Sequence, residues 1–202
     1  MNHSAIISCF SVICPWLILL RGMQVVLGRW RPLRKGWLRL AILGLAAAAV
    51  LSLPAGSLSF AAWVRGLNAN FSLPLTGLLA VAIWETEFNR NWFTPRDWTA
   101  AWLFGAVAGL ALYPFALGWG PFDPYAWGWH FSPLFVASAA LTTGLLWKQN
   151  RFGLLLLLAI LSYNLRLLES TNYWDYLVDP LYCAISLAAL SLHFLRLPSP
   201  TP

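Results

Sequence analysis

The residues with chemistry to offer gather in two stretches that contain no Lys or Arg, 118–131 and 169–179. Between them they hold Asp123, Glu169, Asp175 and Asp179, the rings of Tyr125, Trp127, Trp129, Tyr173, Trp174 and Tyr176, and His130. Aromatic faces beside carboxylates suit a sugar, which stacks its C–H face on a ring and donates its hydroxyls to the acids. They also suit a cationic head, through cation–π and Coulomb attraction. Asp123, His130, Glu169 and Asp175 supply acid and base candidates if the fold brings them together. Arg166 lies in an apolar run three residues before Glu169, a spacing that makes neighbours on a helix surface. With Tyr163 and Asn164 it would form a polar notch able to take an anionic lipid or phosphate. The candidate ligand- or partner-binding set is therefore Asp123, Tyr125, His130, Arg166, Glu169, Tyr173, Trp174, Asp175 and Tyr176.

Each of these residues also has a structural explanation. Trp and Tyr concentrate at membrane–water interfaces as anchors, which accounts for most of the thirteen tryptophans. Asp179 before Pro180 reads as a helix N-cap, and Asp123 before Pro124 as a turn or short-helix start. Arg166 is explained by snorkelling to headgroups. On the opposite side Glu85, Glu87, Arg90, Arg96 and Asp97 read as helix ends and a solvated loop. His193 is a lone histidine near a helix end, with no second His at matching depth to make a haem pair.

Several motifs are absent: G-x-S-x-G, H-E-x-x-H, a phosphate-binding Walker loop and a Gly-rich dinucleotide fingerprint. Cys9, Cys14 and Cys183 show no C-x-x-C spacing, and Cys9 and Cys14 would point to different faces of one helix. No catalytic set, metal site or cofactor is assigned.

The elements that must position these residues are helices in a bilayer. Hydrophobic residues make up 59% of the 202 positions and charged residues 10%, with a mean hydropathy of +0.65. Soluble domains carry roughly a quarter charged residues. The net charge of +6 lies between apolar runs rather than on a polar domain, which points to topology signals and anionic headgroups and away from nucleic acid.

Seven spans are expected, at about 4–27, 38–56, 72–88, 98–117, 133–147, 152–168 and 180–195, in a single all-α polytopic transmembrane bundle covering 1–202. Thr94-Pro95-Arg96-Asp97 opens the fourth as a capping box with Pro at its first position, and Ser132-Pro133 opens the fifth. Residues 57–71 read as a loop, with room for a short interfacial helix. Gly44 and Ala48, four apart, permit a close helix approach. The first span is the least secure. No basic segment precedes it and no small-residue cleavage site follows, so a signal peptide describes it poorly. A chain starting at Met23 would leave six spans.

Arg29, Arg31, Arg34, Lys35 and Arg39 form a basic stretch that sets the orientation. Placing it inside puts ten Lys and Arg residues in inner loops against Arg65 alone outside. The N-terminus is then outside, the C-terminus cytoplasmic, and the acidic, aromatic stretches face out.

The expected function is that of a small, non-catalytic accessory or assembly subunit of a bacterial inner membrane. It would present an aromatic, acidic outer surface to a partner protein, an envelope glycan or a lipid, with membrane lipids as its surroundings. The alternatives are a membrane-embedded enzyme acting on a lipid-linked substrate, and the substrate-binding subunit of a transporter.

Overall fold

The computed structural model describes residues 3–28 and 35–195. The basic stretch from Arg29 to Arg34, Arg196 and the Pro-rich tail lie outside the described residues. The chain is all-α and 74% helical, apart from a hairpin of two-residue strands, β1 (Pro54–Ala55) and β2 (Leu58–Ser59). It divides into two compact units.

The first unit comprises Met1–Phe71, Leu75–Trp92 and Leu165–Ser170. Helix α1 (His3–Leu27) packs along α2 (Trp37–Ser52), and the short α3 (Phe60–Leu67) follows the hairpin. Ser59 caps α3 by accepting the Ala62 N–H. Leu17, Leu20, Leu43 and Ala47 make a core with Ile83 of α4 (Leu73–Phe88). Gly44 has the close approach its size allows. The Trp16 ring lies against it and donates its indole N–H to the Gly44 carbonyl at 2.8 Å, and a Cβ added there would meet the ring at 3.1 Å.

The second unit comprises Ser72–Pro74, Phe93–Asn164 and Thr171–Pro202. Its spine is α5 (Pro95–Ala116) lying along α9 (Pro180–Leu195), while α6 (Pro133–Trp147) pairs with α7 (Phe152–Asn164). Gly105 and Gly109, one helical turn apart on α5, let α9 come this close. A side chain at Gly109 would overlap Cys183, and one at Gly105 would overlap Ser186 and meet the Tyr182 ring at 2.8 Å. The Tyr182 hydroxyl donates to the Ala101 carbonyl at 2.7 Å along the same seam.

The helix starts follow their caps. Thr94 and Asp97 form the reciprocal capping box, with Pro95 just inside the helix. The Ser132 hydroxyl accepts from Leu134 N–H, and Asp179 from Tyr182 N–H.

Among the described residues two helices, Ile7–Leu27 and Pro95–Ala116, are long and apolar enough to cross a membrane. The other expected spans coincide with helices of 13 to 16 residues, which at 1.5 Å per residue reach about 20–24 Å against a hydrocarbon core of ~30 Å. Of the seven expected, then, two meet the length by themselves. The second and sixth each end four residues short of expectation, α2 at Ser52 and α7 at Asn164. The apolar run of the sixth continues to Leu168, but the Asn164 side-chain amide turns back to the Ile160 carbonyl at 2.8 Å.

Candidate functional site

The two stretches singled out by their chemistry meet in the second unit. The loop between α5 and α6 folds into a short 3-10 helix, Pro124–Gly128, and the segment before α9 forms one turn, α8 (Trp174–Leu177). Asn172, fully buried, joins them. Its amide donates to the Tyr125 carbonyl at 2.9 Å, and its Oδ1 accepts the Trp174 N–H at 2.9 Å. Gly128 is required opposite it, because any Cβ there would overlap the Asn172 amide. The Tyr173 N–H donates to the Gly128 carbonyl at 3.0 Å, and the Trp174 indole N–H to the Pro124 carbonyl at 2.8 Å.

Both aspartates act on Tyr125. Asp123 Oδ1 accepts its backbone N–H at 2.9 Å, the turn expected of an Asp-Pro pair, and Asp175 Oδ2 accepts its hydroxyl at 3.0 Å. Tyr173 stacks on Phe135 with ring centroids 4.4 Å apart, and its hydroxyl pairs with Ser138 at 2.8 Å. Burial pushes that phenol up to about 12, with the Ser138 hydrogen bond pulling the other way. Tyr163 stands edge-on to Tyr176 at 5.3 Å.

The candidate set therefore divides. Tyr173 and Tyr176 are 1% exposed and Trp174 7%, so these three are the inside of a clasp and not a presented surface. They anchored the expected outer surface, and that expectation is corrected. The Tyr173 hydroxyl and the Trp174 indole found partners within the fold, so those rings could be buried whole. Asp175 and Tyr125 are half-buried and bonded to each other, while Asp123 and His130 are exposed. His130 enters none of the clasp's hydrogen bonds. The rings of stretch 118–131 that face outward are Trp119, Phe122, Trp127, Trp129 and Phe131, with Phe131 84% exposed.

The expected notch of Arg166, Asn164 and Tyr163 is also corrected. Tyr163 is engaged with aromatic rings, Asn164 with its own helix, and Arg166 lies beyond the end of α7 with a left-handed backbone (φ 52°) and an exposed side chain. Arg166 and Glu169 are therefore not helix-surface neighbours, and Glu169 is exposed in the first unit.

Two of the acids read as helix ends and solvated loop, Glu87 and Asp97, do lie at the ends of α4 and α5 but are buried. Glu87 and Asp97 are each 2% exposed, as is Asp179. Each accepts a backbone N–H from far along the chain. Glu87 Oε1 takes Gly36 N–H at 2.9 Å across 51 residues, and Asp97 Oδ1 takes Arg151 N–H at 2.9 Å across 54. Asp179 Oδ2 takes the Ser72 N–H at 2.9 Å across 107 residues, and the Ser72 hydroxyl at 2.6 Å. Around Glu87 a chain of side chains continues. Gln24 donates to Glu87 Oε2 at 3.0 Å, and Arg21 donates to Gln24 at 3.3 Å and to Thr86 at 2.6 Å. Burial raises the Asp179 carboxyl above the usual range, against the hydrogen bonds from Ser72, Leu181 and Tyr182 that lower it.

Sequence reasoning missed Asn172, Gly128, Gln24 and Ser72. Gln24 had a readable signal, a polar residue one turn from Arg21 inside an otherwise apolar helix. No protein-family model, curated protein or solved structure matches the chain.

Proposed function

We propose that this is a non-catalytic accessory subunit of a bacterial inner membrane, docking a partner membrane protein through the exposed ridge Trp127–Phe131. In this reading α1, α2, α4, α5, α6, α7 and α9 all cross the bilayer, with the N-terminus outside and the C-terminus in the cytoplasm. The segregation of Lys and Arg supports that orientation. The short helices cross at the modest cost of local thinning, with their Trp-rich ends at the interface.

One observation carries the functional reading. The acids and tyrosines of the clasp already satisfy one another, while three large rings beside them stay exposed on a rigid support. Buried aromatic anchors dominate protein interfaces, and a hydrogen-bonded base holds these in place. An enzyme on a lipid-linked substrate would need Asp123 and Asp175 available for proton transfer, and both are engaged with Tyr125.

The test is a triple variant, Trp127→Ala, Trp129→Ala and Phe131→Ala, compared with the native chain after in-membrane crosslinking and purification. Loss of a crosslinked partner with unchanged membrane insertion and melting temperature is the expected result. An unchanged crosslinking pattern overturns the docking site. Thiol labelling of Cys introduced at Ser170 and at Gln149 checks the topology, with the first expected to react from outside and the second from the cytoplasm.

A further inference from the structure

In the second unit α5 packs on α9 and α7, and α6 on α7, leaving a cleft between α5 and α6. The small side chains Ala108, Ala111 and Ala137 open it, Leu141 and Leu145 wall it, and Phe152 closes its floor, enclosing about 490 Å³. The polar atoms that reach it are already bonded. Ser138 pairs with Tyr173, and the Trp174 indole with the Pro124 carbonyl. Water would find no partners in such a space, so it takes an apolar occupant.

At the α5 N-terminus and the α6 C-terminus the character changes. A second recess of about 600 Å³ is lined by Thr94, Arg96, Lys148, Gln149 and Asn150, together with Asp97. Leu145 lines both recesses, so they adjoin at that side chain. Arg96 and Lys148 are exposed there. The one acid, Asp97, has its oxygens engaged by the Thr94 N–H, the Thr94 hydroxyl and the Arg151 N–H. What remains at this lip is two cationic side chains, Arg96 in the first turn of α5 and Lys148 at the C-terminus of α6.

We infer that this cleft seats one acyl chain of an anionic membrane phospholipid, with its phosphate held between Arg96 and Lys148. From Leu134 to Leu145 the cleft wall runs about 16 Å at 1.5 Å per residue, nearly the whole length of α6. Basic pockets between helices on the cytoplasmic side suit anionic headgroups, and 490 Å³ lies within the ~300–1,000 Å³ of ordinary ligand sites. The inference rests on the membrane reading above, but not on the partner ridge.

Native mass spectrometry of the full chain in mild detergent tests it, with phosphatidylglycerol and phosphatidylcholine of identical chains added separately. Phosphatidylglycerol is expected to be retained about tenfold better. The double variant Arg96→Gln with Lys148→Gln is expected to level the two lipids, and Ala137→Leu to weaken both. Glycerol phosphate, a head without a tail, is expected to leave the lipid bound. Equal retention of the two lipids by the native chain overturns the inference, as does a headgroup preference that survives the double variant. Displacement by glycerol phosphate overturns the cleft's share in it. A chain released from membranes without detergent would sink the membrane reading itself, a separate result.

Discussion

Glu87 in the first unit and Asp179 in the second are buried to the same degree, and each binds a distant backbone N–H, yet their surroundings differ. Glu87 belongs to a side-chain chain that runs through Gln24 to the guanidinium of Arg21. Asp179 is held by neutral donors alone among its described bonds, the Ser72 N–H and hydroxyl and the N–H of Tyr182. For Asp179, burial prevails over the hydrogen bonds in setting its proton affinity. The same job, fastening one segment to another, is done in one unit within a side-chain network that reaches Arg21 through Gln24, and in the other by Ser72 and the first turn of α9.

The largest effect that would break this comparison is expected from Asp179→Ala. It strands several donors, each costing about 1–3 kcal/mol when buried without a partner. A loss of about 4 kcal/mol in unfolding in lipid nanodiscs is expected, with Asp179→Asn recovering most of it by keeping an acceptor. Glu87→Ala should cost less, about 2 kcal/mol, because Gly36 is only partly buried, and Glu87→Gln should restore the Gly36 contact.

Gly109→Leu, which drives a side chain into Cys183, should cost about 1–3 kcal/mol through overpacking of the α5–α9 seam, read by the same melt. Tyr125→Phe removes one half-buried hydrogen bond to Asp175 and should cost about 1 kcal/mol.

The pH dependence sharpens the contrast. A carboxyl held above its ordinary value binds a proton in the folded state that the unfolded chain has already released. Its contribution to stability is therefore full at low pH and falls as the pH rises from the ordinary carboxylate range through the folded value. Stability of the native chain minus that of Asp179→Asn should fall over that interval. A rise would reverse the sign assigned to burial here.

Much of the architecture could be read from local signals. Thr94-Pro95-Arg96-Asp97, Ser132-Pro133 and Asp179-Pro180 mark helix starts because their side chains satisfy N–H groups close by in the chain. The end of α7 was harder, since apolar residues continue past it. The stop is signalled by Asn164, a residue suited to helix ends. The clasp was half legible. Its rings were singled out as a surface, because composition cannot tell a ring at an interface from a ring packed inside, and Asn172 and Gly128, which join its two segments, were not singled out. Glu87 and Asp97 were the opposite case. Their burial depends on Gly36 and Arg151 arriving from more than fifty residues away, which no local spacing records.

The central claim is that buried carboxylates in this charge-poor chain fasten distant backbone segments. Amide hydrogen exchange tests it most directly, read at Gly36, Arg151 and Ser72 in the variants Glu87→Ala, Asp97→Ala and Asp179→Ala. Each substitution is expected to speed exchange most at its own partner amide, Gly36 for Glu87, Arg151 for Asp97 and Ser72 for Asp179. Partner amides that exchange at native rates in folded variants would contradict it.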